Sequence, residues 1–150
     1  MLRLASTTLL LTTLAAAQTG VKNFNRGCGP VATWPRMTVP KGSPKIGTQL
    51  AIQGNLLAQS HAVITAIGLS NTAWGSVKLP LMIDPRPFPP CQLLVAPTLV
   101  FFGTTNRNGQ FAFVARVPND RRLIGAKVYV QMATPARLLS MTDGLELTIY

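Results

Sequence analysis

Hydrophobic and polar residues alternate with a period of two through most of this chain. In Val77-Lys78-Leu79-Pro80-Leu81-Met82-Ile83, the odd positions Val77, Leu79, Leu81 and Ile83 form one apolar row. Gln110–Val117 repeats the pattern, with Phe111, Phe113, Ala115 and Val117 opposite Gln110 and Arg116. Ala126–Met132 sets Ala126, Val128, Val130 and Met132 against Lys127, Tyr129 and Gln131, and the C-terminus sets Leu145, Leu147 and Ile149 against Glu146, Thr148 and Tyr150. Successive side chains of a strand point to opposite faces, so this alternation predicts strands with one buried face. Ala62–Leu69 and Leu93–Phe102 are apolar at both parities and predict central or doubly covered strands, with Pro97 marking a bulge or an edge in the second. Arg36–Val39 and Gln49–Gln53 complete a set of seven or eight.

Turn-forming stretches separate these runs: Pro40-Lys41-Gly42-Ser43-Pro44, Ser70-Asn71-Thr72, Asp84-Pro85-Arg86-Pro87, Asn106-Arg107-Asn108-Gly109, Pro118-Asn119-Asp120 and Thr142-Asp143-Gly144. Short strands at such spacing predict an all-β fold, an antiparallel sandwich of Ig-like, Greek-key type. A single helical turn is expected over Asn119–Leu123, with Asn119 or Asp120 as its cap.

The start of the chain departs from the period. Met1-Leu2-Arg3 is positive, Leu4 to Leu14 is apolar, and Ala15-Ala16-Ala17 precedes Gln18. This order is that of a secretory signal cleaved after residue 17. The apolar stretch spans about 14 residues, against the roughly 20 needed to cross a bilayer, so no transmembrane segment is expected. The domain reading is therefore a signal over 1–17, a polar, Gly-rich arm over 18–29 pinned at Cys28, and one β-sandwich over 30–150, secreted to the periplasm or the extracellular space. Export places Cys28 and Cys91 in an oxidising compartment, where two cysteines pair. With one His in the chain, they cannot complete a four-ligand zinc site.

Charge narrows the partners. The chain carries 14 basic and 4 acidic residues, a net +10, and loss of Arg3 with the signal leaves +9 (13 minus 4). Such an excess favours polyanions. The cations are scattered, however, and the longest run is Arg121-Arg122, so no basic arm for specific nucleic-acid binding stands out. Trp34, Trp74 and Tyr129, the last on a predicted outward row beside Lys127, together with Arg121 and Arg122, make the candidate ligand surface for an anionic polysaccharide or another surface protein. The competing expectation is that both Trp residues cap the ends of the core.

Catalytic signals are sparse. His61 opens a strand after Ala58-Gln59-Ser60, and general-base work would require an acid such as Asp84 or Asp143 to reach it through space. Ser70, in Gly68-Leu69-Ser70-Asn71-Thr72, lacks the second Gly of a nucleophile elbow. Four acids (Asp84, Asp120, Asp143, Glu146) are few for a calcium loop or a glycosidase pair. No Gly-rich loop leads into a helix, and no cofactor is implied.

The order of landmarks resembles an uncharacterised secreted β-sandwich domain found in many predicted extracellular proteins of environmental bacteria. The landmarks are Gly27-Cys28-Gly29, Gly68-Leu69-Ser70, Leu79-Pro80-Leu81, Cys91-Gln92-Leu93-Leu94-Val95, Gly109, Val117-Pro118-Asn119-Asp120, Leu123-Ile124-Gly125, Tyr129-Val130-Gln131 and Gly144-Leu145-Glu146-Leu147-Thr148-Ile149. The resemblance spans nearly all of the chain beyond residue 17 and implies an extracellular sandwich with the Cys28–Cys91 pairing, but no activity. The leading expectation is a non-enzymatic secreted structural or binding module. Its rivals are a small hydrolase using His61 and a subunit that assembles through exposed strand edges.

Overall fold

The computed structural model describes residues 19–30, 34–87 and 89–150. The expected signal segment over 1–17 lies outside them. The described chain is all-β, with strands β1 (Val21–Phe24), β2 (Arg36–Gly42), β3 (Gln49–Asn55), β4 (Ala62–Gly68), β5 (Ala73–Trp74), β6 (Val77–Lys78), β7 (Leu81–Asp84), β8 (Cys91–Leu93), β9 (Leu99–Thr104), β10 (Phe111–Arg116), β11 (Lys127–Pro135), β12 (Leu139–Met141) and β13 (Gly144–Thr148). No helix among the described residues is long and apolar enough to cross a membrane.

Nine strands make two principal antiparallel sheets. The larger runs β1-β13-β11-β4-β9, with β12 also paired to β11, and the smaller runs β10-β3-β2. Alternation explains how they meet. Val63, Val130, Met132, Leu145, Leu147 and Ile149 from the larger sheet and Met37, Val39, Leu50, Ile52 and Val117 from the smaller side form one buried cluster. Phe111, Phe113, Ala115 and Val128 pack against it at the predicted parity. Burying each large aliphatic side chain contributes about 1.5–3 kcal/mol, so this shared cluster is what holds the sheets face to face.

The short 3₁₀ turn Arg121–Leu123 falls where the sequence places a helical turn, and Asp120 caps it by accepting from the Arg122 N–H. Cys28 and Cys91 form a disulfide with Cα atoms 5.1 Å apart, within the usual span. Met141 packs beside the pair.

Four expectations are corrected. Val77–Ile83 is two strands, β6 and β7, because Pro80 has no N–H to donate and pairing stops there. Its apolar row is accordingly broken: Leu79 is buried, whereas Val77 and Ile83 are exposed. Leu93–Phe102 also splits, with β8 pairing β7 and β9 pairing β4. Far from being doubly covered, β9 exposes Leu99, Val100, Phe101 and Phe102. The polar-looking row Tyr129/Gln131 of β11 is buried, since residues 91–96 fold across it. Finally, the segment expected as a loose arm contributes β1, which pairs β13 from Val21↔Leu147 to Phe24↔Gly144.

The excursion between β4 and β9 carries the two small sheets, β5-β6 and β7-β8. Gly75, at φ +59°, begins the two-residue turn joining β5 to β6, where a positive φ is required. Asp84 ends β7 and holds Arg86 by a two-pronged contact, with Nε 2.9 Å from Oδ1 and Nη2 2.6 Å from Oδ2. These bonds hold its carboxyl at about 2. A carboxylate whose pKa is lowered on folding stabilises above its ordinary value near 4, and that contribution disappears as pH falls toward 2. Thermal unfolding followed from pH 7 to pH 2 is therefore expected to show a steeper loss below pH 4 in the native chain than in Asp84→Asn. Equal slopes would remove this role from Asp84.

Candidate functional site

Three side chains rising beside β1 and β2 build an open cleft of about 390 Å³. Trp34 comes from the lead into β2, Arg36 is its first residue, and Arg26 comes from the turn that leaves β1 at Asn25, a residue in the left-handed region at φ 56°. The Arg26 guanidinium sits 5.0 Å above the centre of the Trp34 ring. A cation over an aromatic face at this distance is favoured electrostatically. Asn23, Asn25 and Thr38 add amide and hydroxyl groups to the same walls. Among the described residues neither Arg26 nor Arg36 is in an ion pair.

Asp143 forms the inner wall of the cleft, and the fold uses both its oxygens. Oδ1 accepts from the Met37 N–H at 2.7 Å and Oδ2 accepts from Asn23 Nδ2 at 2.9 Å. The Asp143 N–H in turn donates to the Pro35 carbonyl. One residue thus ties β1, the start of β2 and the turn before β13 together, which goes beyond the simple turn role its Asp-Gly sequence suggests. Burial pushes its carboxyl above the ordinary range, partly offset by those two hydrogen bonds and by Arg36.

The other sequence-derived candidates lie elsewhere. Trp74 is exposed at the end of β5, in the excursion that follows the end of β4. Lys127 opens β11 and bonds Glu146 at 2.8 Å across to β13. Arg121 and Arg122 are exposed on the 3₁₀ turn before β11. Lys127 pairs with Thr148 at the far end of β13, whereas Asp143 precedes its first residue, Gly144. At about 3.3 Å per residue, Lys127 and the Trp34 cleft are separated by nearly the length of that strand. Tyr129 is only 8 % exposed. It packs among Leu94 and Val95, with its ring edge-on to Phe24 at 5.9 Å, and is a core residue. The predicted surface therefore does not form one face, and Trp34 is the one member set in a cleft with other potential binding groups.

His61 is exposed, and its Nδ1 lies 2.5 Å from the Gln59 carbonyl. Apolar residues, including Leu56, Leu57 and Leu138, dominate the recess beside it. All four acids have partners of their own: Asp84 with Arg86, Asp120 with the Arg122 N–H, Asp143 with Asn23 and Met37, and Glu146 with Lys127. Arg26, Arg36, Asn23 and Asn25 join the cleft although no motif marks them in the sequence. For Asn23, Asn25 and Arg26 the local signal is their clustering within Asn23-Phe24-Asn25-Arg26, which reads as an arm until β1 is paired to β13, and Arg36 carries none.

No family model matches this chain, and comparison with curated proteins and with solved structures finds no match.

Proposed function

We propose that the chain is a secreted, non-enzymatic binding module that takes an acidic group of an anionic glycan into the Trp34 cleft. The observation that carries this reading is the Arg26 guanidinium held over the Trp34 ring, with Arg36 lining the same opening. A planar guanidinium held by an aromatic face is preorganised for two-pronged hydrogen bonding to carboxylate or sulfate. Asn23, Asn25 and Thr38 suit sugar hydroxyls, and the net positive charge of the chain draws polyanions toward the site. The commitment of every acid to a partner of its own favours this reading over a hydrolase built on His61, since a general base needs an orienting acid. The resemblance to secreted sandwich domains and the Cys28–Cys91 disulfide support an extracellular setting.

Titration against uronate-containing and sulfated polysaccharides is expected to show binding that weakens with added salt. Arg26→Ala and Trp34→Ala should each reduce affinity about 10-fold or more, consistent with loss of a charge-assisted contact of 1.5–3 kcal/mol. Trp74→Ala should leave it unchanged. Absence of binding at low salt, or equal loss in Trp74→Ala, would overturn the assignment.

A further inference from the structure

We infer that the free edge of β9 pairs with β9 of a second copy of this chain, antiparallel and about a two-fold axis, so that the two larger sheets become continuous. Besides the three-residue β12, whose outer side is bridged by Cys28 at Met141, the principal sheets have four edge strands, and three of these carry features that discourage pairing. β1 is four residues long and bears Lys22. β2 contains Arg36, Pro40 and Lys41 and shifts register between Thr38 and Lys41. β10 ends in Arg116. Short length, charges, proline and bulges are the means by which sheet edges avoid chance association. β9 has none of them. Its sequence, Leu99-Val100-Phe101-Phe102-Gly103-Thr104, pairs with β4 in unbroken register, and among the described residues β4 is its only partner.

Charge identifies the occupant. No charged residue occurs from Pro87 to Asn106, although the chain as a whole is strongly cationic. A polyanion or an acidic protein would find nothing to pair with on β9. Two copies approaching through β9, by contrast, meet along a long strand edge where their cations do not oppose each other. Apolar side chains project from both faces of the strand, Phe102 being 76 % exposed and Phe101 50 %. Pairing would cover them while satisfying the outward backbone groups.

Backbone parity sets the register. The Thr105 N–H donates to the His61 carbonyl, continuing the β9–β4 register in which Gly103 faces Val63 and Phe101 faces Thr65. Because hydrogen-bonded pairs alternate along an antiparallel ladder, Val100, Phe102 and Thr104 turn their N–H and C=O groups to the free side. A two-fold centred on the strand sets Phe101 opposite Phe101, Val100 opposite Phe102 and Leu99 opposite Gly103 of the second copy. The Val100/Phe102 pairs then exchange the outward hydrogen bonds. Leu99 falls over the residue with no side chain, where the Phe111 ring already lies so close that an added Cβ would sit 2.3 Å from it.

Sedimentation velocity of the protein with residues 1–17 removed, over a concentration series, tests this. A dimer is expected, strengthened by salt because screening relieves repulsion between the two cationic copies. Phe102→Lys, on a side chain that packs little within one copy, should raise the dimer dissociation constant at least about 100-fold by forcing a charge into the paired strands. Val114→Lys, on the exposed face of β10, should not. Phe101→Cys should cross-link covalently on oxidation, since opposed residues of a non-hydrogen-bonded pair lie about 4.5 Å apart at Cα, and Val114→Cys should not. A strict monomer, growth into filaments, or a dimer unaffected by Phe102→Lys would overturn the inference. Trp34→Ala leaves dimerisation intact, so failure here is separable from failure of the glycan reading.

Discussion

Replacing Cys28 and Cys91 together by Ala will lower the free energy of unfolding by about 4 kcal/mol, the value that the chain-entropy argument assigns to a closed loop of this length. The bond spans 63 residues of sequence separation. It joins the segment just after β1 to the first residue of β8, so it fastens the N-terminal edge of the larger sheet to the excursion that covers its outer face. Cys28 also exchanges two backbone hydrogen bonds with Met141, at 2.8 and 2.9 Å. Without the bond, these two hydrogen bonds and the β1–β13 pairing would still hold the N-terminal segment, but its tie to β8 would be lost. Both cysteines are buried, at 2 % and 0 % exposure, so the double replacement also leaves a small void. Urea unfolding should show the midpoint moving down, and the slope should change because the unfolded chain is no longer cross-linked. A loss below about 1 kcal/mol would show that strain in the folded state cancels the loop contribution.

Gln131→Leu is expected to cost about 3 kcal/mol or more, despite its similar volume and its position in a largely apolar strand. The Gln131 side chain lies between β11 and the segment folded over it. Its Oε1 accepts from the Leu94 N–H at 2.9 Å, and its Nε2 donates to the Gln92 carbonyl at 3.0 Å and the Thr142 carbonyl at 3.1 Å. Leucine would leave three backbone groups without those partners, and each buried orphan costs about 1–3 kcal/mol. Hydrogen exchange at the Leu94 amide should accelerate more than at core amides such as Val130, because the covering segment would detach before the sandwich opens. Exchange that rises equally at both sites would mean that the excursion and the sandwich unfold as one unit.

These two groups differ in how readily the sequence discloses them. A cysteine pair needs only an oxidising compartment, which the expected export signal would supply. Gln131 reads instead as an outward residue, because it shares its parity with Lys127 and Tyr129. Periodicity separates the two faces of a strand but does not say what covers each. Lys127 does reach solvent, paired with Glu146, whereas Tyr129 and Gln131 lie under Leu94 and its neighbours. The same limit explains β9. An apolar run at both parities suits a strand covered on both sides and equally one that is covered on neither.

The Trp34 cleft shows the limit at its strongest. Arg26 and Trp34 are close in sequence, but Arg36 and Asp143 join them only because β1 pairs with β13 and the turn before β13 contacts both β1 and β2. Nothing in the spacing of these residues announces that meeting.

What the sequence determined by itself was local. Alternation at period two set the all-β class and the inward rows of β10, β11 and β13, since the pleat of a strand obliges every second side chain to share a face. Turn residues set where most strands stop, and Asn119-Asp120 offered two caps for the 3₁₀ turn, of which the fold uses Asp120. Only the tertiary structure decided which strand became an edge, which outward row was roofed over, and which cations share a cleft. Those outcomes depend on contacts between residues far apart in the chain, and a pattern of nearest and next-nearest neighbours carries no record of them.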